Sequence, residues 1–152
     1  MTIPSDPWQL ERFVQAQAPV YAAVCAELAA RAKRSHWMWF IFPQLKALGR
    51  SGTAKHFGIA GSEEAIAYAA HPVLGPRLKE CSALLLNVAG KTAHDILGSP
   101  DDLKLKSCMT LFDAVAPQER VFRQVLERYF DGRSDEASLA LLSQAGQRRP
   151  GS

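Results

Sequence analysis

Residues 37–43, WMWFIFP, decide how this chain folds. An unbroken run of bulky apolar side chains suits a buried strand, whereas Ser35, two residues ahead, can cap a short buried helix. The rest of the sequence breaks the tie. It holds no alternating apolar–polar period of useful length, and an isolated strand in an otherwise helical protein would leave its backbone N–H and C=O groups unpaired. The stretch is therefore read as a helix, and the chain as all-α.

Helical punctuation extends outward on both sides. Asp6, Pro7 and Gln9 form a capping signature for a first helix over 7–17, with Leu10, Phe13 and Val14 on one face. Pro19 can open a second helix ending near Lys33, in which Val24, Cys25 and Leu28 recur at helical spacing. Ser62 caps EEAIAYAA, whose glutamates suit the positive end of the helix dipole, and His71-Pro72 closes it. Leu74, Leu78, Cys81, Leu85 and Val88 form the clearest core stripe, stopped by Gly90. Thr92 and Asp95 make a capping box for a short helix ending at Gly98. Ser99, Pro100 and Asp102 open a helix through LKLKSCMTLFDAV, and Pro117 opens the last long one, closed by Gly132.

These segments predict a single compact all-α domain of about seven helices over residues 5–133. Residues 134–145 add a further C-terminal helix capped by Ser134, and 146–152 read as a disordered tail. At 152 residues with 47% apolar content the chain can bury a core without staples. No apolar run approaches the roughly 20 residues needed to span a membrane, and the first residues lack a signal-peptide pattern, so no membrane partner and a cytoplasmic location are expected. Cys25, Cys81 and Cys108 lie far apart with no CxxC, which predicts reduced, buried thiols and neither a disulfide framework nor a metal site.

Three blocks, SHWMWFIFPQLKALGRS, EAIAYAAHPVLGPRLKEC and PDDLKLKSCMTLF, spanning about residues 34–113, resemble the signature stretches of the domain-of-unknown-function family 1810. The resemblance implies a small, single-domain, essentially all-α protein of a mostly bacterial family, some members of which carry a calpastatin-like label. It implies no activity. The helical core is similar in general style to the ADP-ribose-linked N-glycosidase group, a likeness of fold only.

Function must be read from the residues. The net charge is +3, but between Leu28 and Ser62 there is no acidic residue, while Arg31, Lys33, Arg34, Lys46, Arg50 and Lys55 are basic. Positive charge beside an aromatic block suits an anionic ligand with a flat ring, or equally cations solvating a surface loop around a core. Trp37, Met38, Phe40 and Ile41 read as core. His36 and Trp39 each carry a polar atom and can position a phosphate or stack on a ring, or can serve as partnered structural residues. The loop QLKALGRSGTAKHFG offers Gln44, Lys46, Arg50 and Ser51 as anion contacts, although no phosphate-binding glycine fingerprint is present.

On the helix after Pro100, Asp102, Lys106, Thr110 and Asp113 form a polar ladder beside the apolar face of Leu105, Met109, Phe112 and Val115. It reads either as a solvated stripe with an Asp102–Lys106 ion pair or as a site wall. In the second reading Asp101 or Asp102 is a candidate general base, with Lys106 and Thr110 binding ligand. No cofactor is implied. Two functional expectations follow. The first is an uncharacterised protein that binds or hydrolyses a nucleotide-like or ADP-ribose-like anionic metabolite. The second is a non-catalytic module contacting protein or nucleic acid through its basic residues.

Overall fold

The computed structural model describes residues 6–147, so residues 1–5 and 148–152, which include most of the expected tail, lie outside the described residues. Ten α-helices are present among them: α1 Glu11–Gln17, α2 Tyr21–Ala29, α3 Met38–Ile41, α4 Gly52–His56, α5 Ser62–Ala70, α6 Leu74–Leu86, α7 Ala93–Leu97, α8 Asp101–Val115, α9 Arg120–Phe130 and α10 Glu136–Gln147. A 3₁₀ turn, Lys46–Leu48, precedes α4, and a lone parallel bridge joins Leu45 to Ile59. The all-α expectation holds. Nine of the ten helices lie within residues 5–133, where about seven were expected, and the tenth, α10, is the separately expected C-terminal helix; α4, in the loop after Pro43, is the one with no counterpart in the sequence reading, being too short to show a period.

Two long helices organise the core. α8 packs against α5, α7, α9 and α10, and α6 packs against α2, α3, α5 and α9. Their central position explains why α8 buries Leu105, Cys108, Met109, Leu111 and Phe112, a wider face than a single stripe. Tyr68, Phe112 and Phe122 form a chain of aromatic contacts at 5.3 and 5.8 Å, linking α5, α8 and α9. Gly75 lets α6 approach the end of α5: a Cβ there would lie 2.2 Å from the Ala69 carbonyl oxygen.

The aromatic block is a helix, but its start differs from the capping expected of Ser35. Residues 34–37 are instead tied down by Glu27 of α2. Its carboxylate accepts from the N–H groups of Arg34 (2.6 Å) and Ser35 (3.0 Å), from the Ser35 hydroxyl and from the Trp37 indole (3.0 Å). Burial pushes this carboxyl up, yet the four donated hydrogen bonds together outweigh it and bring its pKa from the ordinary 4.5 to about 2. Trp37, Met38 and Ile41 are buried as expected, whereas Phe40, also read as core, is half-buried against it and Phe42 is buried.

Other helix ends shift for local reasons. Asp6 is not the N-cap of a helix over 7–17: α1 starts at Glu11 with Leu10 as its N-cap, the Asp6 carboxylate accepts from Leu10 and Glu11 N–H at 2.8 and 3.0 Å across the preceding turn, and Gln9, at φ 53°, lies in that turn rather than in a capping box. α2 begins at Tyr21 and ends before Arg31, whose φ of 66° stops it short of Lys33. Ser62 is the first helical residue and Gly61 its cap. His71 has a role in starting α6, its Nδ1 accepting from Val73 and Leu74 N–H at 3.0 and 3.2 Å. The Thr92–Asp95 capping box is formed as expected. α10 is capped by Asp135, which accepts from Ser138 N–H at 3.1 Å, in place of Ser134, and the helix runs through Gln147 into the first residues of the expected tail.

Candidate functional site

A cavity of about 310 Å³ lies where the turn before α1, the 3₁₀ turn, the end of α4 and the start of α5 meet. Its floor is organised by Arg12. The guanidinium of Arg12 donates from Nε to the His56 carbonyl (2.8 Å) and from Nη1 to the carbonyls of Trp8 and Gln9. From Nη2 it donates to the Gly58 carbonyl (3.1 Å) and to Glu64 Oε2 (2.8 Å). A guanidinium has five N–H groups, so every donor of Arg12 is used. Each oxygen of Glu64 also has a partner: the side chain is 3% exposed, and its second oxygen accepts from Ala60 N–H at 2.8 Å.

The cationic side of the cavity comes from the loop after Pro43. The Lys46 N–H donates to the Ile59 carbonyl at 2.7 Å and the Ile59 N–H to the Gln44 carbonyl at 2.9 Å, which clamps residues 44–46 against 58–60. Gly58 is required by that clamp, because a Cβ there would lie 2.4 Å from Lys46 Cα. The Ser51 hydroxyl accepts from Ala54 N–H at 3.0 Å and starts α4, whose last turn carries Lys55 and His56. Phe57 then pins the segment to the core, packing on Phe13 at 5.7 Å and Phe40 at 5.4 Å. Lys46, Lys55 and His56 are exposed at the rim, and half-buried Trp8 adds an indole wall.

Charge in the cavity is therefore unequal. Arg12 and Glu64 neutralise one another, and Lys46 and Lys55 remain. Lys33 and Lys104 pair with Asp101 and Lys79 pairs with Glu119, but among the described residues no carboxylate lies within ion-pair distance of Lys46 or Lys55.

The sequence-predicted residues fall in three places. Lys46 lines this cavity; Gln44 contributes its backbone to the clamp, Ser51 caps α4, and Arg50 is exposed between them. Trp39 and Asp101 are linked through Lys104 at the start of α8. There the Lys104 ammonium lies 4.9 Å from the Trp39 ring and 3.5 Å from Asp101, and Asp101 also pairs with Lys33 at 2.9 Å. Asp102 faces His94 Nδ1 at 3.7 Å rather than Lys106. His36 is exposed.

Lys106 lines a second cavity, of about 550 Å³, with Arg133, Asp135 and Glu136. Thr110 is buried beneath that end of α10, its hydroxyl accepting from Asp135 N–H at 2.8 Å and donating to the Lys106 carbonyl at 2.8 Å. Arg12, Trp8 and Glu64 are the residues that sequence reading did not single out for the first cavity. Nothing local marks Arg12, because its acceptors span residues 8–64.

Burial was expected of all three thiols and is found for two of them. Cys81 and Cys108 are buried and Cys25 half-buried, and burial raises all three, Cys81 to about 12. Among the described residues no group of three or more His, Cys, Asp or Glu side chains is arranged to hold a metal ion, and no helix is long and apolar enough to cross a membrane.

The family described as "Protein of unknown function (DUF1810)" matches residues 7–142, and the chain belongs to it. The crystal structure of the conserved hypothetical protein Rv1873 from Mycobacterium tuberculosis is similar, with 51% identity and a TM-score of 0.90 over 91% of this chain and 99% of that one. No curated protein matches the chain.

Proposed function

We propose that this family member binds a small, anionic, nucleotide-like metabolite in the cavity between the start of α1, the end of α4 and the start of α5. The observation that carries the reading is the pair of unneutralised lysines, Lys46 and Lys55, at the rim of a cavity whose one guanidinium and one carboxylate already satisfy each other. The volume of about 310 Å³ is at the lower end of the range typical of small-molecule sites. The Trp8 indole supplies a flat surface for a ring, the part that sequence reading gave to Trp39.

The role proposed is binding rather than hydrolysis. The candidate bases Asp101 and Asp102 do not line this cavity, and Asp101 already has an ammonium on each oxygen. A thermal-shift screen against nucleotides, sugar phosphates and short RNA, at low and moderate salt, tests the reading. A ligand at about 100 times its dissociation constant adds roughly 2.7 kcal/mol of stability. A salt-tolerant shift with one small anion, lost in a Lys46→Met, Lys55→Met double variant, is the expected result. A shift with RNA alone, falling steeply with salt, would instead support the interaction module.

A further inference from the structure

We infer that the ligand class is an organic phosphomonoester, with the phosphoryl oxygens held by the Lys46 and Lys55 ammonium groups and the organic part lying against Trp8; this rests on the anion-binding reading above. The choice between anions follows from which donors are free. A planar carboxylate is matched by the rigid fork of an arginine, whereas a tetrahedral, multiply charged phosphate is held well by lysines acting as mobile point charges with three donors each.

The cavity has one guanidinium, and all five of its N–H groups are committed to protein acceptors. No fork is left for a carboxylate. Two ammonium groups are left, on backbones that do not need to move: Lys46 is fixed by the Ile59 bridge and the Gly58 contact, and Lys55 by the α4 turn that Ser51 caps. Two positive charges match the roughly two negative charges of a phosphomonoester at neutral pH.

Size and surroundings narrow the class further. A cavity of about 310 Å³ suits a mononucleotide or sugar phosphate better than a dinucleotide-sized molecule. The larger cavity beside α10 is a poorer anion site in spite of Lys106 and Arg133. Asp135 and Glu136 line it, and Asp135 already occupies the helix N-terminus.

The test is calorimetric titration of the full chain with adenosine monophosphate, adenosine, citrate and ADP-ribose, repeated with Lys46→Met, Lys55→Met and with Arg120→Met, an exposed residue on α9, as control. Adenosine monophosphate is expected to bind more tightly than adenosine by about tenfold or more per ammonium engaged. The double variant, with its unfolding temperature retained, should lose that advantage, and the control should keep it. Equal binding of the nucleotide and the nucleoside, or an advantage that survives the double variant, overturns the inference. Lysine-dependent binding of citrate or ADP-ribose without adenosine monophosphate overturns the phosphomonoester class and leaves the anion cavity standing. No binding of any anion overturns both.

Discussion

Replacing Arg12 with alanine should be among the most damaging single changes in this protein, although the residue is near the surface. The side chain is 16% exposed and Glu64 3% exposed, so the substitution leaves a nearly buried carboxylate without its cation. Removing one partner of such a pair costs about 3–5 kcal/mol, much of it the penalty of the charge left behind. Four backbone carbonyls, on Trp8, Gln9, His56 and Gly58, lose a donor at the same time. Against a total stability of about 5–15 kcal/mol this is a large fraction. At about 2–4 °C per kcal/mol for a domain of this size, the unfolding temperature should fall by roughly 6–20 °C.

Thermal and urea unfolding of Arg12→Ala, Glu64→Gln and the double variant give the assay. Glu64→Gln keeps an acceptor for Ala60 N–H and should cost less than Arg12→Ala. The double variant should be more stable than the sum of the two losses predicts, because it no longer buries a bare charge. A loss below about 1 kcal/mol for Arg12→Ala, the level of an exposed ion pair, would refute the reasoning. Strict additivity in the double variant would refute it as well.

Gly58→Ala should destabilise by about 1–3 kcal/mol and weaken ligand binding together, since its methyl must displace the Lys46 backbone; calorimetry showing an unchanged unfolding temperature would contradict the close approach. Glu27 has a folded pKa of about 2 against an ordinary 4.5, so its contribution is full above about pH 4.5 and is lost as pH falls toward 2. Glu27→Gln should therefore flatten the acid limb of the stability–pH curve across that window, and an unchanged slope in acid unfolding would count against the four-bond cluster. Because burial raises all three thiols, alkylation of native protein at mildly alkaline pH should be slow and should accelerate on adding denaturant. Complete modification before unfolding would show that the helices open more readily than their packing implies.

The parts of the fold legible in the sequence are those whose causes are local. The Thr92–Asp95 box is written in four consecutive residues, and the α6 stripe in a repeat long enough to count. Helix starts that depend on partners outside the local signature are not legible in this way. Ser35 looks like a cap for the aromatic helix, but its hydroxyl and N–H are taken by Glu27, eight residues earlier. The loop after Pro43 looks irregular because its two helical pieces are short. It is held in place by Phe57 packing on Phe13 and Phe40, a tertiary contact with no local signature.

The same distinction governs the site. A run of residues without a single carboxylate is visible at a glance, and it does locate a positive surface. Which of its cations remain available is decided elsewhere in the chain. Lys33 reads as a neighbour of the aromatic block, yet Asp101 neutralises it from the start of α8, and Arg12 reads as an ordinary helix residue until five acceptors from three segments converge on it. Among the described residues no carboxylate comes within ion-pair distance of Lys46 or Lys55, nor of Arg31, Arg34 or Arg50 of the same run, and what sets the two lysines apart is that they line the cavity. Charge density is a property of sequence, whereas uncompensated charge beside a cavity is a property of the fold, and it is the second that selects a ligand.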